Sequence, residues 1–97
     1  MYRITKKMLQ SRIDYLNDIT GNNPEPWGKD TNGRMKSNIG NYHLSHAYGG
    51  VCLHQMSNEG GGVNNHLQGY HSPKRELFNR LCAFIDGIEL AKAKEVK

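Results

Sequence analysis

The chain has little cysteine and no long apolar run, and these two absences narrow its setting. Only two of its 97 residues are cysteines, Cys52 and Cys82, and both fall in segments that are expected to be regular and half-buried. No run of about 18 apolar residues is present, which excludes a transmembrane helix. The N-terminus also lacks the basic, apolar and small-residue order of a signal peptide. We therefore expect a cytoplasmic protein with free thiols and no membrane partner.

The motifs of the common nucleotide-using and metal enzymes are missing as well. The triple glycine at residues 60–62 is not part of a GxxxxGK[ST] loop, and it does not run directly into a helix as a GxGxxG motif must. No CxxC or HxxxH spacing supports a metal site. No acidic residue stands at a suitable spacing to orient His54 beside Ser45 in a catalytic triad. The residue types that could serve as metal ligands in and after the hairpin are His43, Cys52, His54, His66 and His71. The sequence therefore predicts a protein that is not an enzyme and uses no metal or cofactor.

Positive charge is what the chain has in excess. Lysine and arginine number 13 against 9 aspartates and glutamates, so the formal net charge is +4. Hydrophobic residues make up 36% of the chain, enough for a small core in one domain. We predict a single domain over residues 1–91 and a disordered basic tail over residues 92–97. The charge suits an anionic partner, which is either a nucleic acid or a phosphate-bearing small molecule.

Two helices are predicted from apolar residues that recur at spacings of three and four. The first covers residues 5–20 and begins at Thr5 as its N-cap. The second covers residues 73–91, with Ser72 as its N-cap and Pro73 as its first helical residue. Their apolar positions are Leu9, Ile13, Leu16 and Ile19 in the first helix and Leu77, Phe78, Leu81, Phe84, Ile85 and Ile88 in the second.

The segment NYHLSHAYGGVCLHQMSN is predicted to form a β-hairpin over residues 41–57, with Gly49 and Gly50 as its two-residue turn. A helix through the same residues is the alternative, but two adjacent interior glycines would cost roughly 1 kcal/mol each relative to alanine. A third strand is expected over residues 35–39, because an isolated hairpin is marginal in water. The predicted fold class is therefore α+β, with an N-terminal helix, a small antiparallel sheet and a long C-terminal helix. Both helices are expected to pack on one face of the sheet.

The start of the second helix, HSPKREL, places cations where the helix dipole disfavours them. Lys74 and Arg75 stand in the first turn, near the positive end of the dipole. A bound phosphate would reverse the sign of this effect, because the Ser72 hydroxyl, backbone N–H groups and two cations would all converge on it. The alternative is that both side chains point into water and that Glu76 partly offsets their charge.

The segment SNEGGGVNN lies between the hairpin and this helix, and its glycines allow two interpretations. The backbone N–H groups of Gly60, Gly61 and Gly62 would form an anion-binding nest that closes over a ligand at the helix start. In the alternative interpretation the glycines form only a flexible connection.

Aromatic residues interleave with the cations, as they do in proteins that stack bases and neutralise phosphates. Trp27 and Tyr70 fall in predicted loops and are the candidates for contact with a ligand. Tyr42 and Tyr48 fall on the more apolar face of the hairpin, so we expect both in the core.

Four motifs occur in the order IGNYHL, AYGGVCL, NEGGGV and SPKRELFNRLCAFIDGI. Together they resemble a family of small uncharacterised proteins found widely in phages and prophages, and the likeness covers about residues 5–90. The resemblance implies expression in a bacterial cytoplasm during infection and supplies no catalytic residue. It also implies a class of small phage proteins that block host defences, either by gripping a defence protein or by sequestering a nucleotide signal.

The sequence as a whole favours a phage-encoded, non-catalytic protein that sequesters a small nucleotide-type ligand as an anti-defence sponge, assembled as a homo-oligomer. In this hypothesis Ser72, Lys74 and Arg75 hold phosphate, the main chain of Gly60, Gly61 and Gly62 closes over it, and Trp27 or Tyr70 stacks on a base. The alternatives are a nucleic-acid-binding modulator and a protein–protein inhibitor of a host defence or replication protein.

Overall fold

The protein contains two helices and five short strands, and the computed structural model describes residues 3–65, 67 and 70–95. The elements are α1 (Lys6–Thr20), β1 (Trp27–Lys29), β2 (Met35–Ser37), β3 (Tyr42–Ala47), β4 (Gly50–Met56), β5 (Val63–Asn64) and α2 (Lys74–Glu95). The predicted α+β class is confirmed, with an N-terminal helix, small antiparallel sheets and a long C-terminal helix. Within the described residues, neither helix combines the length and the apolar character needed to cross a bilayer.

Helix α1 begins at the N-cap that its sequence predicts, Thr5, and ends at its C-cap, Gly21. The Thr5 hydroxyl accepts a hydrogen bond of 3.2 Å from the backbone N–H of Met8, one of the N–H groups that lack a partner inside the helix. At the other end Gly21 has a φ of 72°, and its N–H donates to the carbonyls of Asn17 and Asp18. This left-handed residue closes the helix in the way that glycine permits.

Helix α2 begins one residue later than predicted. The N–H of Leu77 donates to the carbonyl of Pro73 at 3.3 Å, so Pro73 rather than Ser72 accepts the first helical hydrogen bond. Ser72 instead pairs with Val51 in an antiparallel bridge. The prediction of Ser72 as the N-cap is therefore wrong, because its backbone extends the hairpin sheet.

Helix α2 also continues further than predicted, to Glu95 rather than to residue 91. Residues 92–95, which were expected to belong to a disordered tail, are thus helical, while residues 96 and 97 lie outside the described part of the chain. The Lys92 ammonium donates to the carbonyl of Ile19 in the last turn of α1. This contact satisfies a carbonyl that the end of α1 leaves without a helical partner, and it holds the last turns of α2 against α1.

The hairpin is present, but its turn lies one residue earlier than predicted. Ala47 pairs with Gly50, so Tyr48 and Gly49 form the turn with φ values of 53° and 74°. Positive φ at both positions is the pattern of a type I′ turn. The faces of the hairpin are unchanged, because each pairing moves by an even number of residues. Tyr42 is buried as predicted, whereas Tyr48 is 99% exposed and the prediction that places it in the core is wrong.

Two small sheets replace the single predicted one. The strand predicted over residues 35–39 exists as β2, but it pairs with β1, in a segment that was predicted to be a loop. The carboxylate of Asp30 accepts hydrogen bonds from the N–H groups of Asn32 and Arg34, which closes a tight local turn between β1 and β2. The third strand of the hairpin sheet is instead β5, which pairs with the far end of β4.

Both helices pack on the same face of the hairpin, as predicted. The buried core consists of Ile4, Leu9, Ile13, Leu16, Tyr42, Val51, Leu53, Leu77, Leu81 and Ile85. The buried amide of Asn17 donates to the carbonyl of Tyr42 at 2.9 Å and accepts from its N–H at 2.8 Å. These are the two hydrogen bonds that a neighbouring strand would make, so α1 is tied directly to the backbone of β3.

The two helices run parallel, and both begin at the same end of the molecule. Near their C-termini the Tyr15 hydroxyl donates to the Glu89 carboxylate at 2.9 Å, and Lys92 contacts Ile19. At the opposite end Ile4 and Pro73, which precede the two helices, line one depression. The positive ends of both helix dipoles therefore lie beside the turn of the hairpin.

We expect Tyr48→Asn to stabilise the fold, because asparagine adopts positive φ more readily than tyrosine. Holding tyrosine in this conformation costs on the order of 1 kcal/mol, and the exposed ring contributes little packing. Urea denaturation should show a free energy of unfolding that is higher by about 1 kcal/mol. Tyr48→Ala removes the same ring without any preference for positive φ, and it should bring no gain. Equal effects of the two substitutions would contradict this explanation.

Candidate functional site

A depression of about 850 Å³ opens at the end of the molecule where both helices begin. The segment that leads into α1, the tip of the hairpin and the start of α2 form its walls. Cationic side chains line two of these walls, namely Arg3 and Lys6 at α1 and Lys74 and Arg75 at α2, while His46 lines the third. No acidic residue of the described chain is among the lining residues. We call this surface the cationic depression.

The two helix starts add to the positive potential of the cationic depression. The first N–H groups of a helix have no partner inside it, and the aligned peptide dipoles place partial positive charge there. The first turn of α1 contains no acidic residue, and that of α2 contains Glu76. A cation in such a turn is disfavoured by about 0.3–1 kcal/mol unless an anion is bound nearby. The arrangement therefore lowers the stability of the protein alone and favours a bound anion.

Glu76 does not neutralise this potential by itself. Its carboxylate oxygen Oε1 accepts a hydrogen bond of 2.9 Å from the Tyr70 hydroxyl and lies 3.3 Å from the guanidinium of Arg80. Glu76 is thus shared with a cation outside the cationic depression, and it is not a lining residue. The same contact fixes Tyr70, which was predicted to stack on a ligand but does not line the cationic depression either.

His46 responds to the charge on both helices. His46 is exposed, and its pKa lies below the ordinary value because of partial desolvation and then because of Lys6, Lys74 and His71. Lys6 begins one helix and Lys74 begins the other, so the two helix starts act on a single imidazole. An anion bound between them would oppose this effect and raise the pKa of His46.

Ser72 lies beside the cationic depression, where it holds the start of α2 against the hairpin. Its N–H donates to the carbonyl of Val51 at 2.9 Å, and its carbonyl accepts from the N–H of Val51 at 2.8 Å. Its hydroxyl lies 3.3 Å from the carbonyl of Pro73, and the residue is only 2% exposed. A Cβ at Gly50 would lie 2.9 Å from the carbonyl oxygen of Ser72, so glycine is needed for this close approach. Ser72 therefore positions Lys74 and Arg75.

The triple glycine and Trp27 lie at the other end of the hairpin. β4 begins at Gly50 in the cationic depression and ends at Met56, and the six steps between these seven residues span about 20 Å. Beyond Met56 the chain enters the glycine segment, where the Trp27 ring packs on Gly61. The structure therefore does not bring the triple glycine or Trp27 together with Lys74 and Arg75, and the expected lid over a ligand at the helix start is not formed.

The glycine segment itself is a tight turn whose N–H groups are already bonded. The side-chain oxygen of Asn58 accepts from the N–H of Gly60 at 2.9 Å and from that of Gly62 at 3.0 Å. The N–H of Gly61 donates to the backbone carbonyl of Asn58 at 3.3 Å. The N–H groups that were expected to bind an anion are thus used within the turn, and Trp27 packs on this turn.

A row of imidazole rings lies on the other face of the hairpin. The ring centroids of His43 and His54 are 5.7 Å apart and those of His54 and His71 are 6.1 Å apart. The Ser45 hydroxyl lies 3.1 Å from Nε2 of His71. No group of three histidine, cysteine, aspartate or glutamate side chains is arranged to hold a metal ion in the part of the chain that the structure describes. His66, considered above as a ligand, lies outside that part.

Two of the four cations in the cationic depression, Lys74 and Arg75, are predicted from their place in a first helical turn. Arg3, Lys6 and His46 are not predicted as site residues. The same signal is present at α1, where the segment TKK puts lysines directly after the N-cap. What the sequence did not show is that the two helix starts are neighbours.

Comparison of the chain with protein-family models, curated proteins and solved structures gave no match. The resemblance to small phage proteins stays a prediction.

We expect Gly61→Ala to destabilise the fold without weakening anion binding. The new Cβ would lie 2.7 Å from Cη2 of Trp27, and the φ of 93° disfavours any side chain. The loss in the free energy of unfolding should be on the order of 1–3 kcal/mol. Gly60→Ala is the matched control, since its Cβ would meet nothing closer than the Asn58 side chain at 3.4 Å. If urea denaturation of Gly61→Ala matches that of Gly60→Ala, the packing of Trp27 on the turn is not a stabilising contact.

The imidazole row predicts a loss of stability in mild acid. Burial lowers the pKa of His43 and His54 below the ordinary value of 6.5, and each has a further histidine beside it. The unfolded chain therefore takes up protons at a higher pH than the folded chain, so that the stability contributed by the neutral rings is complete above about pH 7 and falls as the pH drops through 6.5. His54→Gln should reduce the difference between urea midpoints measured at about pH 7.5 and 5.5. An unchanged difference would contradict this assignment.

Proposed function

We propose that this protein is a non-catalytic binder that sequesters a small phosphate-bearing ligand of the nucleotide type in the cationic depression. One observation carries the proposal, namely the convergence of two parallel helix starts and four cationic side chains on one concave surface. Either helix start alone would be an ordinary surface feature. Their combination concentrates positive charge on one concave surface.

Phosphate suits this surface in both charge and geometry. The N–H groups at a helix start point outward and donate to phosphate oxygens. Arginine adds a planar pair of donors, and lysine adds a compact charge. Because Arg3 and Lys6 stand on one wall and Lys74 and Arg75 on another, the cationic depression offers two groups of donors. Its volume of about 850 Å³ falls in the range of small-molecule sites, so a ligand with more than one phosphate fits.

The lining residues supply groups that bind an anion and few groups that could catalyse a reaction. Besides the cations and His46, they are apolar residues, proline and glycines, and none of those described is a serine, cysteine or carboxylate. A nucleophile paired with a base is the usual requirement for covalent catalysis, and a carboxylate pair is the usual requirement for glycoside hydrolysis. We therefore favour capture of the ligand over its conversion.

The biological role that we propose follows from the resemblance to small phage proteins. A protein of this kind, present in a bacterial cytoplasm, would lower the concentration of a nucleotide immune signal by holding it. This role needs affinity and abundance, and it needs no turnover.

The binding site is tested by isothermal titration of pyrophosphate, nucleoside diphosphates and cyclic dinucleotides. Changing both Lys74 and Arg75 to Gln should raise the Kd at least about tenfold, since it removes charge-assisted hydrogen bonds. Changing Lys29 and Lys36 to Gln removes the same charge from the β1–β2 sheet and should leave the Kd unchanged. The proposal fails if no ligand binds more tightly than about 100 μM, or if the two double variants lose affinity equally.

The same samples distinguish a nucleic-acid binder from a small-ligand binder. Affinity for an oligonucleotide that exceeds that for any mononucleotide or dinucleotide, with a steep loss as salt is raised, would favour the nucleic acid. Sedimentation with and without ligand measures whether the chain assembles as the predicted homo-oligomer.

A further inference from the structure

The turn of the hairpin carries a tyrosine that the fold does not require. Tyr48 is 99% exposed, and its φ of 53° lies in the left-handed region that tyrosine rarely adopts. Asparagine, aspartate and glycine are the residues that a type I′ turn favours at this position. The ring thus occupies a strained and solvated place where a smaller residue would serve the turn better. Backbone strain of this kind concentrates at sites that contact ligands.

Tyr48 stands at the rim of the cationic depression. Its two chain neighbours, Ala47 and Gly49, are both lining residues. The ring of His71 meets that of Tyr48 in an edge-to-face arrangement, with centroids 6.1 Å apart and planes at 72°. An arrangement of this kind leaves a flat face of the tyrosine ring open to a second planar group. The rim of the cationic depression therefore carries an exposed aromatic ring on the residue between two of its lining residues.

The two aromatic residues that were expected to stack on a ligand are placed elsewhere. Trp27 packs on Gly61 at the far end of β4, and Tyr70 donates its hydroxyl to Glu76 without lining the cationic depression. Tyr48 is an exposed aromatic side chain whose two chain neighbours line the cationic depression together with Lys74 and Arg75.

We propose that Tyr48 stacks on the aromatic base of a ligand whose phosphates bind at the two helix starts. This inference rests on the proposed function and narrows its ligand class to nucleoside phosphates that carry at least two phosphate groups. Phosphorylated sugars and inorganic polyphosphates share the charge of such a ligand but have no ring to place on Tyr48. A purine base offers the larger stacking surface and binds more tightly than a pyrimidine base.

Two substitutions at Tyr48 separate the effect of the aromatic ring on binding from the effect of the turn conformation. Tyr48→Asn removes the ring and keeps a residue that accepts positive φ, whereas Tyr48→Phe keeps the ring and removes only the hydroxyl. Circular dichroism of both variants should match that of the unchanged protein. A stacked base is commonly worth about a tenfold change in Kd, and this sets the scale of the expected effect.

The probes are ADP and GDP as base-bearing ligands and pyrophosphate as the base-free control, each titrated by calorimetry. We expect Tyr48→Asn to raise the Kd for ADP and GDP about tenfold and to leave the Kd for pyrophosphate unchanged. Tyr48→Phe should bind all three ligands with the same Kd as the unchanged protein. If Tyr48→Asn binds all three ligands as before, the stacking proposal is overturned while the phosphate site stands. If the unchanged protein binds neither pyrophosphate nor the nucleotides, the proposed function is overturned and the role of Tyr48 falls with it.

Discussion

The backbone pairing between Val51 and Ser72 holds together the end of the molecule that contains the cationic depression. It joins the first residues of β4 to the segment that leads into α2, and it depends on Gly50, because any side chain there would collide with the Ser72 backbone. The start of α2 is thereby fixed beside the turn of the hairpin. Asn17 ties α1 to Tyr42 at the other end of β3, and the parallel path of the two helices then brings the start of α1 to the same place. All three walls of the cationic depression follow from these contacts.

The two ends of the hairpin differ in how well the preferences of hydrogen bonding, helix dipoles and backbone φ are satisfied. At the Trp27 end, the Asn58 side chain satisfies the N–H groups of the glycine turn, and the indole covers Gly61. At the other end, cations stand in two first helical turns and Tyr48 holds a positive φ. Local preferences are most often broken where a protein binds something. Backbone strain, positive charge and the concave shape of the surface therefore all favour the same end of the molecule as the place where a ligand would bind.

Much of the fold could be predicted because helix periodicity and strand alternation are local properties. Both helices, the hairpin and the composition of its two faces were predicted, since an even shift in register does not exchange the faces. The turn was placed one residue late because Gly49 and Gly50 each tolerate positive φ, and the sequence does not show that Gly50 is used for contact with Ser72. The strand over residues 35–39 was assigned to the wrong sheet because the Asp30 turn makes a nearer partner available.

The sequence by itself determined the cationic chemistry of the candidate site, and the tertiary structure decided which residues line it. Lysine and arginine in a first helical turn conflict with the helix dipole in any fold, so Lys74 and Arg75 could be singled out from order alone. That Arg3, Lys6 and His46 join them, and that the triple glycine and Trp27 do not, depends on which chain ends meet in space. Dipoles and turn preferences act over a few residues, whereas the convergence of two helix starts arises from packing between segments about seventy residues apart.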